Sequence, residues 1–149
     1  MPVPSSGPSY TVQTRVGCVI EARVFSLRSA EDVDAYAVAL GTQVLRVPRN
    51  LRPVLCADHR PVAIYPQAAA DRLVELFTQM NARLERVAIL AARSNATLVL
   101  QLDRLVREAA YAGRKVFHAP EDVQGHLAPV LDVAELRRVR EFLDEYRAP

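Results

Sequence analysis

Apolar positions along this chain follow two periods, one suited to strands and one to helices, and their succession predicts the order of elements. Tyr10 to Arg15 and Cys18 to Leu27 are rich in Val, Thr, Ile and Phe and read as strands, with Gly17 between them suited to a tight turn. They predict a β-hairpin at the front. Ser29, three residues before Asp32, is placed to cap a helix whose stripe is Val33, Tyr36, Ala37, Leu40 and Val44 and which ends near Val47 and Pro48. Pro53 then opens a third strand, Val54 to Asp58, whose unbroken apolar character predicts cover on both faces.

The run VLCAD breaks at His59-Arg60-Pro61 and the pattern resumes after Pro66 as a helix. Leu73, Leu76, Phe77, Met80, Leu84 and Val87 follow the i, i+3, i+4, i+7 stripe. Burying such a stripe contributes on the order of ten kcal/mol before chain entropy is set against it, so it must face a sheet. Val87 to Ala92 reads as a fourth strand, and Arg93-Ser94-Asn95 turns into a third helix using Leu98, Leu102, Leu105, Val106 and Ala109. Gly113 is suited to a left-handed cap closing it. Lys115 to His118 reads as a fifth strand, Pro120 starts a helical turn with Glu121 and Asp122, and Asp132 caps a last helix using Leu136, Val139, Leu143 and Tyr146. Strands alternating with helices imply right-handed crossovers. The fold class is therefore α/β: one domain over residues 10–149, with the hairpin followed by β-α units in a mixed, mostly parallel five-stranded sheet. Residues 1–9, rich in Pro, Ser and Gly, read as a disordered leader.

Composition narrows the function. At 149 residues and 50% hydrophobic, the chain can fill a single core. Its 19 basic and 17 acidic residues leave a net charge of +2, too weak a field to argue for nucleic acid. Lys115 is the only lysine. Cys18 and Cys56 lie in apolar runs, where free cysteine acts as a small buried hydrophobe, and a reduced, cytoplasmic protein is expected. The first residues have neither the basic nor the apolar part of a secretory signal, and no apolar run reaches the roughly 20 residues of a membrane span.

The order of elements resembles the STAS fold, and more closely its SpoIIAA-like branch. The residues that carry the likeness are VLCAD ending in Asp58, the helix DRLVELFTQM, VAILAA after Arg86, the helix LVLQLDRLVREA, and KVFHAPEDV, and with the order of elements the resemblance covers about residues 10 to 146. The resemblance implies a regulatory or ligand-sensing module that docks partners, with a phosphorylated serine as the switch in anti-sigma antagonist members. At that strand-to-helix junction this chain reads Ile64-Tyr65-Pro66-Gln67-Ala68-Ala69, with no Ser or Thr between Asp58 and Leu73. A serine switch at that place is therefore not expected, and Tyr65 supplies the only hydroxyl.

In open sheets of this type, binding residues gather beyond the carboxyl ends of the parallel strands. That rim should hold Asp58, His59 and Arg60, Tyr65 and Gln67, then Arg93, Ser94 and Asn95, with His118 after the fifth strand. The simpler reading makes Asp58 and Asn95 caps of turns and helices, and His59 and Arg60 solvated loop residues. Cys56, Asp58, His59 and His118 are acceptable metal ligands by type, but none of the recognised spacings is present, and no metal or other cofactor is expected. Nor is there a phosphate-binding glycine loop or a nucleophile elbow, and nothing in the spacing brings Ser94 or Cys56 to His59 or His118. The charged last helix, Glu135, Glu141, Asp144 and Glu145 against Arg137, Arg138 and Arg140, reads as a solvated face. Arg46, Arg49, Arg52 and Arg60 read as loop charges or a docking edge. The expected function is a non-catalytic regulatory or scaffolding module that docks a protein. The alternative is a carrier or sensor of a small apolar or anionic ligand, which needs a hollow between helix and sheet. The sequence leaves the oligomeric state open, a homodimer included.

Overall fold

A computed structural model describes residues 9–146; the expected leader falls outside them but for its last residue. The chain runs β1 (Tyr10–Gln13), β2 (Val19–Val24), α1 (Ala30–Arg46), β3 (Val54–Asp58), α2 (Gln67–Met80), β4 (Val87–Leu90), α3 (Ala96–Ala109), β5 (Arg114–Phe117), α4 (Pro120–Leu127), a 3-10 turn, and α5 (Val133–Asp144). The five strands lie side by side in chain order. β1 is antiparallel to β2 and every other neighbour is parallel, which gives the α/β class and mixed sheet expected.

Consecutive parallel strands joined by crossovers of one hand put their helices on one face. Accordingly α1, α2 and α3 pack side by side, while α4 and α5 cover the other face. The strands divide their side chains by period two: Ile20, Ala22, Leu55, Ala57, Val87 and Ile89 join the α1–α3 core, and Val19, Val54, Cys56, Ala88 and Leu90 the smaller α4–α5 core. Gly17 turns the hairpin at φ +56, and a Cβ there would lie 2.2 Å from Glu135 Oε2. Conformation and space both require glycine.

Two helix ends and the face of a third helix differ from expectation. α2 stops at Met80, so Leu84 reaches the core from a turn and Val87 from β4. Arginines take the carbonyls that continued helix would have used: Arg114 donates to Phe77 O, and Arg52 to Asn81 O and Leu84 O. The left-handed cap of α3 is Ala110 rather than Gly113. Gly113 is needed for close approach instead, because a Cβ would stand 2.9 Å from the Tyr111 ring and 3.0 Å from Glu85 O. On α5, Val139, Phe142 and Leu143 are buried as a stripe, but Leu136 and Tyr146 are only partly covered and Glu135 and Arg138 point inward. The last helix is thus no simple solvated face.

Gly17→Ala should lower unfolding free energy by about 2–3 kcal/mol, combining the left-handed penalty with displacement of Glu135. Urea denaturation of the two proteins measures the difference.

Candidate functional site

The parallel strands end in a junction of buried charge. β2 reads Ile20-Glu21-Ala22-Arg23-Val24, so Glu21 and Arg23 project together toward α5, joined there by Asp58 from the adjacent register position of β3. Glu21 and Asp58 are fully buried. Asp58 Oδ2 accepts from Arg23 Nε and Arg60 Nη2, and Oδ1 from Arg60 Nε, all at 2.9 Å, with the Arg60 backbone N–H at 3.1 Å. Both arginines go on to α5, Arg23 donating to Phe142 O and Arg60 to Leu143 O at 2.8 Å. These are carbonyls of the last turn of a helix, whose C-terminus carries partial negative charge and favours cations. Arg23 also lies over the Phe142 ring, 4.2 Å from its centroid, and Arg60 over Tyr146 at 5.0 Å.

A second latch lies one turn back along α5. Arg138 grips Glu21 bidentately, at 2.6 Å and 2.8 Å, and reaches Glu145 at 2.9 Å. Glu135 accepts from the Cys18 backbone at 2.8 Å and closes the capping box with Asp132. Burial alone would raise the Asp58 carboxyl, but the hydrogen bonds from Arg60 and Arg23 outweigh it and hold its pKa below the ordinary value. Asp58 stays ionised between two cations.

On the opposite sheet face His59 is buried, and its Nδ1 is hydrogen-bonded to the Tyr65 hydroxyl. Burial depresses its pKa to about 4, against a smaller opposing effect of Asp58, so the imidazole is neutral and shares a single proton with the Tyr65 hydroxyl across this bond. The backbone of 61–66 has no regular structure but is held at four points. Asn95 Nδ2 donates to Val62 O and Ala63 O, while Gln101 accepts from Tyr65 N at 3.0 Å and donates to Tyr65 O at 2.8 Å. Gln101 thereby replaces the strand that Tyr65 lacks. Asn95 also caps α3 through Leu98 N, as its position before the helix suggests.

The predicted rim therefore separates into support and surface. Asp58, His59 and Tyr65 are buried, Arg60 is half-buried, and none of the first three reaches solvent without rearrangement. His59 is not the solvated loop residue that the simpler reading made it, because its ring fills the space between β3 and Tyr65. Gln67, Arg93, Ser94 and His118 are exposed, and Asn95 is partly so. Between the loop after β2 and the loop after β3 lies a groove of about 260 Å³, lined by Phe25, Leu27, Pro61, Ala63, Ile64 and Pro66 among others; of the predicted site residues Gln67, Arg93, Ser94, Asn95 and His118 none is in its lining. Ile64 is 51% exposed and Phe25 38%. Sequence reading missed Glu21, Arg23 and Arg138; the alternation in IEARV was the available signal for the first two, whereas nothing local marks Arg138 as buried.

Other chemistry finds little footing. Cys56 is buried and its thiol is pushed up by burial and then by Asp58, which disfavours a thiolate. Among the described residues no group of three or more His, Cys, Asp or Glu side chains gathers to hold a metal ion, and no described helix is long and apolar enough to cross a membrane. The hollow between α1, α2 and the sheet measures about 10 Å³, room for one water. No protein-family model matches this chain, and no curated protein is significantly similar to it.

Asp58→Ala leaves the buried Arg23 and the half-buried Arg60 without their carboxylate and should cost about 3–5 kcal/mol in urea denaturation. For His59 the sign runs against acid: the unfolded chain takes up a proton near pH 6.5, the folded imidazole only near pH 4. Stability is complete above pH 6.5 and falls by on the order of 3 kcal/mol as pH drops to 4. His59→Asn keeps a group able to donate to or accept from Tyr65 without the titration, and its stability profile should be flatter by that amount over the same window.

Proposed function

We propose that this chain is a non-catalytic docking module, acting in bacterial regulation or scaffolding in the cytoplasm, whose rim around the 61–66 loop receives a protein partner. One observation carries the reading: a segment without regular structure is fixed by side-chain amides from α3 so that Ile64 stands beside Phe25 across an apolar groove. Ordering a loop in advance removes an entropic cost that binding would otherwise bear. Exposed apolar anchors beside polar groups, here Ser26 and Arg28 in the lining of the groove, are what protein interfaces use.

The likeness to SpoIIAA-like STAS modules points the same way, with one departure. Tyr65, the only hydroxyl at the junction, is buried against His59 and so is not displayed to a kinase. Docking here is accordingly constitutive rather than gated by phosphate at this loop. Against the carrier alternative stands the hollow beneath α2, which is too small for any organic ligand.

Affinity capture from native extract tests the assignment. A specific partner should be held by the wild-type chain and lost, at least about a hundredfold, by Ile64→Asp with Phe25→Asp, the size of effect seen at interface anchors. Both side chains are exposed, so the double variant should keep its stability within about 1 kcal/mol. A partner held equally by both proteins removes the rim from the account.

A further inference from the structure

The outward face of α1 carries an apolar patch that nothing among the described residues covers. Val38 is 70% exposed and Leu45 79%, one heptad apart on the same face, and Leu51 just beyond the helix is 47% exposed. Beside Leu45 a groove of about 460 Å³ opens between the end of α1 and the turn after α2. Gly41, on the flank of this face, has no reason inside the molecule: a Cβ there would meet nothing within 4 Å, and glycine weakens a helix interior. It does permit another helix to approach closely.

Charge along the face is divided by sign. Glu31 and Asp34 are exposed at its start, while Arg46 and Arg49, with Arg83 across the groove, are exposed at its finish. Among the described residues these three arginines form no ion pair, nor does Glu31; Asp34 meets only the half-exposed Arg72. Acidic, apolar and basic zones in that order are complementary to themselves when reversed. We infer that α1 docks antiparallel against α1 of a second copy of this chain, about a two-fold axis passing beside Gly41. In that register Val38 of each copy lies against Leu45 of the other, and the acidic start with Asp34 faces the basic finish, which runs from Arg46 past the helix end to Arg49. The surface is isologous, so every contact is made twice. It lies apart from the rim assigned above, and its failure or success leaves that assignment untouched.

One helix face is a small interface, so a concentration-dependent dimer is expected rather than an obligate one. Sedimentation equilibrium from roughly 1 μM to 1 mM should show the mass rise from 16.5 kDa toward twice that value. Leu45→Asp and Val38→Asp, both solvent-facing and checked for folding by circular dichroism, should remain monomeric throughout. Asp34→Arg and Arg49→Glu should each weaken self-association about tenfold or more, because each sets like charges against each other. An equimolar mixture of those two variants should restore dimerisation, since each then supplies the charge the other lacks. A single monomeric species for the wild-type chain over the whole range overturns the inference and gives the face to a different protein. A dimer that survives both aspartate variants overturns it as well, by placing the contact elsewhere.

Discussion

Asp58 joins the two layers of this molecule. Its carboxylate, fully buried at the end of a central strand, holds Arg23 from the neighbouring strand and Arg60 from the following loop, and both guanidinia continue to the last carbonyls of α5. A buried carboxylate is costly unless paired, and a buried guanidinium likewise, so neither would be stable in this position alone. Together with the negative end of the α5 dipole they form a sequence of alternating charge from sheet to helix. The sheet therefore attaches its C-terminal helix by directional bonds added to a small apolar core, where the α1–α3 face relies on a larger one.

Directionality has consequences for how the rim is built. Apolar contact lets a helix slide, whereas bidentate guanidinium pairs at Glu21 and Asp58 admit one register. Arg60, fixed by Asp58, sets the first step of the loop that follows β3; His59, facing the other way, sets the second through Tyr65. Asn95 and Gln101 complete the fixation from α3. The groove at Ile64 and Phe25 thus inherits its shape from three elements distant in sequence.

Much of the fold was legible along the chain. Val54 to Asp58 appears as a strand covered on both sides because all five residues are indeed buried, and Ser29, Asn95 and Asp132 each cap the helix that their type and position announced. The errors share one cause. Leu84 and Val87 continued the α2 stripe by spacing alone, but the helix ends where Arg114 and Arg52 claim its carbonyls, and those arginines come from residues about 30 positions away. Glu135 and Arg138 looked like solvated charge because their partners, Cys18 and Glu21, lie 117 residues earlier.

Periodicity and capping chemistry are local, and by themselves the residues of this chain determined the number, kind and order of its elements and the α/β class that follows from that order. Tertiary structure alone decided which charged side chains are interior. A charge enters a core only where an opposite charge or a helix end meets it, and that meeting depends on which strands pair and which helix crosses them. Asp58 and His59 are adjacent in sequence, and the pleat of β3 sends one to a network of arginines and the other to a tyrosine. The same logic places Ile64 and Leu45 outside: each is as apolar as its buried neighbours, and only the packing of the finished layers leaves it facing solvent.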